Sequence, residues 1–198
     1  MIPEKPSRAD TLADAAIDVL ADEGLRGLTH RAVEQRAGLP NGSTTYYFKT
    51  RSALVRGVLA RLLELDRQEF QTFGLAGLPP SRATLVDAAT KLLRHLSTTA
   101  RNRQIARFQL YLDGDPDDER KAMLDAATQA IEASSIAMLK LLGSKNARRD
   151  GKLLQALLDG LLYDQVARQQ TSTAELRRRV KLVLDAVVPP PKTADNPG

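Results

Sequence analysis

Apolar residues recur along this chain every third or fourth position from about residue 11 to residue 188, and no segment sustains the period-two alternation of a half-buried strand. That spacing admits helices and excludes sheets, so the expected fold is all-α with about nine helices. A chain of 198 residues buries about 70% of its unfolded surface on folding, enough for a real core.

The tightest punctuation lies near the N-terminus. Leu12, Ala16, Val19 and Leu20 share one helical face with Ile17 beside them, predicting a helix over Thr11–Glu23 that Gly24 stops. Thr29 supplies an N-cap oxygen for a helix to Ala37, and Gly38 is a left-handed C-cap from which Leu39 folds back. Pro40, Asn41 and Gly42 form a turn, and Ser43 is the expected cap of a third short helix reaching Phe48. Helix, four-residue turn and helix within about 20 residues make a helix-turn-helix unit. Phe48 is expected in the core. Thr50 or Ser52 then opens a helix with Leu54, Val55, Val58, Leu59, Leu62 and Leu63 on one stripe.

Beyond a glycine- and proline-rich break at 74–80, further helices are predicted over 81–99, 105–112, 116–142, 146–170 and 175–188. The expected organisation is a helix-turn-helix domain at 1–51, a helical domain at 52–188 and a flexible tail at 189–198.

Charge is uneven. Residues 1–23 carry a balance of −4, residues 24–61 one of +6, and the remaining 137 residues only +3. The +6 block coincides with the helix-turn-helix, as a phosphate-binding footprint would. Absent cysteine removes thiol nucleophiles and thiolate metal sites, and His30 and His95 alone offer little to a metal. There is no Gly-rich phosphate loop, no H-E-x-x-H and no paired-carboxylate pattern, so no enzyme, cofactor or metal is expected. Asp113, Asp115, Asp117, Asp118 and Glu119 lack the spacing of a calcium loop and read as a helix start. No stretch suits a membrane span or signal peptide, so a cytoplasmic protein is expected.

The block TLADAAIDVLADEGLRGLTHRAVEQRAGLPNGSTTYYFKTRSALVRGVL resembles the DNA-binding domain of the tetracycline-repressor (TetR) family, most strongly over residues 8–65. The likeness is carried by Glu23-Gly24, Leu28-Thr29, Arg36 to Leu39, Gly42-Ser43, Tyr47-Phe48 and Arg51 ahead of Ala53-Leu54. ALLDGLL at 156–162 resembles the opening of the family's dimerisation helices. The resemblance implies a homodimeric, mostly repressing transcription factor that binds palindromic operator DNA and responds to a small-molecule effector, here unidentified. By matched position, Thr29 caps and touches phosphate, Ser43, Thr44, Thr45 and Tyr46 belong to the recognition helix, and Tyr47 and Arg51 meet the backbone. Thr44 and Thr45 depart from the family's usual leucine and tyrosine. Arg31, Asn41, Gly42 and Lys49 complete the expected DNA-facing set. Glu34, where the family often has a small residue, is expected to orient Arg31 or Arg51.

An effector cavity is expected near Phe70, Phe73, Leu92, His95, Phe108, Tyr111 and Met123. His95, among leucines, reads more readily as a satisfied, partly buried histidine than as a ligand contact. A dimer interface is expected on Leu154, Leu157, Leu158, Leu161, Leu162, Leu176, Val180, Val183, Leu184 and Val187, with Gly160 permitting close approach. The competing function is a helical interaction protein that has kept the bundle and lost sequence-specific DNA binding; an occluded face around Tyr46 would mark it.

Overall fold

A computed structural model describes residues 7–73, 81–113, 118–168 and 171–189. Among these the chain is helical, with no strand: α1 (Arg8–Gly27), α2 (His30–Ala37), α3 (Ser43–Tyr47), α4 (Arg51–Phe73), α5 (Arg82–Ser97), α6 (Arg101–Leu112), α7 (Asp118–Leu141), α8 (Ala147–Ala167) and α9 (Thr173–Val187). The all-α expectation therefore holds, and the departures are at helix ends. α1 starts at Ser7, whose hydroxyl accepts from the Asp10 amide while Asp10 reaches back to the Ser7 amide, a reciprocal cap that outweighs Thr11 as a start. Gly24 adopts φ 69° and kinks α1 rather than ending it, since one more turn follows to Gly27. α6 begins four residues before Ile105, behind Ala100, which offers no capping oxygen and so left no signal. Pro116, expected to open α7, lies outside the described residues, as does the tail from 190 onward.

The chain packs as two units, one of Met1–Thr72 with His95–Thr128, the other of Phe73–Arg94 with Gln129–Gly198. In the first, α1 packs on α2 and α6, and Leu12, Leu20, Leu28, Val33, Leu54, Val58, Leu62 and Leu110 are wholly buried in one core. Each such side chain contributes about 1.5–3 kcal/mol by leaving water. α4 shares this core with α1, so the packing units do not separate at the expected 51/52 boundary. In the second unit α8 packs on α9, and Leu154, Leu162, Val166, Leu176, Val180, Leu184 and Val187 of these two helices are buried.

Candidate nucleic-acid interface

α2 is built as its sequence predicts. The Thr29 hydroxyl accepts from the Ala32 amide at 3.1 Å, and Gly38 at φ 65° ends the helix in the left-handed region, where its own amide and that of Leu39 bond back to Gln35 and Glu34. α3 differs from expectation. Its N-cap is Gly42 at φ 89°, which has no side chain to offer, and Ser43 is not the cap. The capping oxygen comes from the preceding helix: Glu34 Oε1 accepts from the amides of Gly42 and Thr44, each at 2.9 Å. Glu34 is 4% exposed, so it neither orients Arg31 or Arg51 nor faces solvent. A carboxylate at a helix N-terminus gains from the helix dipole, which explains an acid buried in a basic neighbourhood.

At the other end of α3, His30 Nε2 donates to the Phe48 carbonyl at 2.6 Å. The Phe48 ring packs on the core as expected, lying against Gly57 of α4; a Cβ on Gly57 would come within 2.3 Å of that ring. Thr50 caps α4, its hydroxyl accepting from the Ala53 amide at 3.1 Å.

α3 held this way turns Thr45, Tyr46 and Tyr47 to solvent, Tyr46 at 78% exposure, with the two tyrosine rings edge to face at 4.9 Å. Asn41 and Gly42 are exposed in the turn and Ser43 is half-buried. Thr44 is a correction: it is wholly buried against α2 and cannot reach a base. The family's leucine at this position makes sense of that burial, and in Thr44 the slot holds a hydroxyl without a hydrogen-bond partner.

The basic block is likewise rearranged. Arg61 binds Asp14 through Nε at 2.7 Å and Nη2 at 3.0 Å, which raises its pKa further above the usual arginine value, with the Asp14 hydrogen bond the main cause. Arg56 pairs with Glu119 at 3.1 Å and Arg36 with Asp22 at 2.8 Å. Much of the charge asymmetry between residues 1–23 and 24–61 is thus neutralised inside one unit. Arg51 is a second correction to the DNA-facing set. Its Nη1 donates to the Leu28 carbonyl at 2.5 Å and its Nη2 to the Leu25 carbonyl, so it holds the C-terminal turn of α1. Of the cations at 24–61, Arg26, Arg31 and Lys49 are exposed and take part in none of these contacts, while Arg51 is exposed but engaged by the two carbonyls. Arg26 was not in the expected set; its place in the charge block is the signal that marks it.

The expected effector residues fall in both packing units. Phe73 and Leu92 belong to one unit and His95, Phe108, Tyr111 and Met123 to the other, while the Phe70 side chain lies outside the described residues. His95 Nε2 bonds Glu69 Oε1 at 2.8 Å, and Arg103 binds the same oxygen at 2.5 Å, so His95 is the satisfied histidine of a polar cluster. Tyr111 is surface-exposed, with its hydroxyl 3.2 Å from that of Thr128, and Met123 packs on the first unit's core. Asp66 and Arg107, paired at 2.5 Å, form a second charged contact there. A groove of about 530 Å³ in the first unit is lined instead by Asp14, Ile17, Asp18, Leu65 and residues 98–103.

The expected dimer set also divides. Leu154, Leu162, Leu176, Val180, Leu184 and Val187 are buried within the single chain and are not available to a second copy. Leu158, Leu161 and Val183 are half-buried and Leu157 is exposed. Leu153 on α8 and Leu182 on α9, outside the expected set, are also exposed. Gly160 faces open space, with nothing within 4 Å of where a Cβ would stand. Among the described residues no helix is long and apolar enough to cross a membrane.

The model of the "Tetracyclin repressor-like, C-terminal domain" family matches residues 80–190. The HTH-type transcriptional repressor KstR2 of Mycolicibacterium smegmatis is 35% identical over 68 residues, 32% of this chain, and the matched stretch spans about a third of that relative, 33% of its length. Among solved structures, a transcriptional regulator from Rhodococcus sp. RHA1 aligns at TM-score 0.78 and 21% identity, covering 91% of this chain and 96% of that one. A TetR-family member from Streptomyces coelicolor A3 aligns at 0.70 and 23%, covering 90% and 98%. The multidrug binding protein EbrR, solved with malachite green, aligns at 0.69 and 22%, covering 93% and 99%.

Proposed function

The chain belongs to the tetracycline-repressor-like family of transcriptional regulators, and from that premise we propose that it is a cytoplasmic repressor that binds palindromic operator DNA as a homodimer and releases it on binding a small molecule. The observation that carries the DNA-binding part is the exposed face of α3, where Thr45, Tyr46 and Tyr47 project beside unpaired Lys49 and Arg31. Hydroxyls and phenol rings can read base edges, while the cations and the turn at Asn41 and Gly42 meet phosphates. Thr29 and Ser43 contribute at the margins of that face. Tyr46 is open to solvent, which supports DNA reading over the bundle-only alternative.

The homodimer is supported by the apolar outer face of α8, where Leu153, Leu157 and Gly160 recur at helical spacing, together with Leu182 of α9. One helix-turn-helix reads few base pairs; twofold symmetry doubles them on half-sites about 34 Å apart. The effector is the part that rests most on the family; EbrR with malachite green is one relative that holds a small molecule.

Duplex binding across a salt series tests the reading. Wild-type binding weakens steeply with salt, and Lys49→Ala lowers the slope of log affinity against log salt by about one. Binding that ignores salt, or a slope untouched by Lys49→Ala and Arg31→Ala together, contradicts it.

A further inference from the structure

Two side chains of α2 hold α3 at opposite ends. His30 and Glu34 are four residues apart and so stand one above the other on a single helix face. Glu34 takes the Gly42 and Thr44 amides where α3 begins, and His30 takes the Phe48 carbonyl where α3 ends. We infer that His30 and Glu34 are a two-point clamp that sets the tilt and projection of α3, which makes them specificity-determining positioning residues for DNA reading; the inference rests on the function proposed above.

α3 needs such a device. It has five residues, begins at a left-handed glycine and carries no capping side chain of its own, and a helix that short does not hold itself. The packing of Phe48 on Gly57 secures it against α4, but apolar contact is non-directional. The three hydrogen bonds from α2 are directional, and they lie at the two termini, where they oppose both sliding and rocking. Base-edge hydrogen bonds weaken steeply with small misplacement, whereas attraction of phosphates to Lys49, Arg31 and Arg26 acts over several ångströms. A loosened α3 therefore loses discrimination before it loses affinity.

The test uses the full chain as wild type, Glu34→Ala, Glu34→Gln and His30→Phe, each below its unfolding temperature. Binding is measured to a duplex recovered by wild type from a random pool and to a scrambled duplex of the same composition. Glu34→Ala should bind the scrambled duplex within about twofold of wild type, with the same salt slope. Its preference for the recovered duplex should fall about tenfold or more. Glu34→Gln, which keeps the acceptor oxygen, should recover most of that preference, and His30→Phe should lose part of it. Wild-type preference in Glu34→Ala, or equal loss on both duplexes while folded, overturns the clamp; if Glu34→Ala does not fold, unchanged preference in His30→Phe does so. Exchange of the Gly42 and Thr44 amide protons separates this failure from that of the DNA reading. Faster exchange in Glu34→Ala (in His30→Phe, of the α3 amides) alongside a wild type that prefers no duplex would sink DNA reading and the specificity role with it, whereas unchanged exchange overturns the clamp itself.

Discussion

Arg51, expected from the family resemblance to meet the DNA backbone, makes its described hydrogen bonds within the protein. Its guanidinium reaches back to the Leu25 and Leu28 carbonyls, the groups that a kinked helix end leaves unsatisfied. Arg51→Ala is accordingly expected to lower the unfolding temperature and leave the salt slope of duplex binding as in wild type, the opposite of Lys49→Ala. Thr44 invites a different substitution. Its buried hydroxyl lacks a partner, a cost of about 1–3 kcal/mol, and Thr44→Val keeps the shape while removing it. A higher denaturant midpoint for Thr44→Val is the expected result, and a lower one would mean the hydroxyl has a bond that matters. Gly57→Ala tests the packing behind α3, since the added methyl collides with the Phe48 ring. It is expected to cost about 1–3 kcal/mol of stability and to weaken duplex preference as Phe48 is pushed out.

Helices were legible wherever apolar spacing and a capping residue agreed. Thr29 with Gly38 delimited α2 and Thr50 opened α4, whereas α9, expected from Glu175, opens two residues earlier behind Ser172, whose hydroxyl accepts from the Glu175 amide. They were misjudged where only one signal was present, as behind Ala100 at α6, or where a shorter-range signal lay just upstream, as with Ser7 and Asp10. Glu34 was expected to orient Arg31 or Arg51, the nearby cations in the sequence; what draws it inward is the uncapped amides of Gly42 and Thr44, eight and ten residues further along the chain. On α8 and α9 leucines occupy two faces, and periodicity cannot tell the buried face from the exposed one. That distinction yields paired expectations. Leu157→Glu should leave the chain folded and monomeric by light scattering, whereas Leu176→Ala should destabilise the fold by about 2–5 kcal/mol. A dimeric Leu157→Glu would place the interface elsewhere.

Helix ends also carry a pH dependence. Asp150 is held below its ordinary pKa by the Ser144 hydroxyl and then by Arg149, Asp185 by Lys181 and then Arg82, and Asp10 chiefly by the Ser7 hydroxyl. Each therefore binds its proton at higher pH unfolded than folded. Their contribution to stability is complete above the ordinary carboxylate range and is lost as pH falls through that range toward the folded values. The urea midpoint should decline from about pH 5 downward, and Asp185→Asn should flatten part of that decline; a midpoint indifferent to acid would contradict the assignments.

For the whole molecule, the proposed work divides between the two packing units: the first holds α3, with its exposed Thr45, Tyr46 and Tyr47, and the second holds α8 and α9, with the exposed leucines proposed to meet a second copy. Recovery of duplexes from a random pool by the wild-type chain, followed by sequencing, tests the central claim most directly. An enriched inverted repeat, bound by two chains and no longer selected when Thr45 and Tyr46 are both replaced by alanine, is the predicted result. A pool left unenriched, or the same repeat recovered by the double replacement, would contradict it.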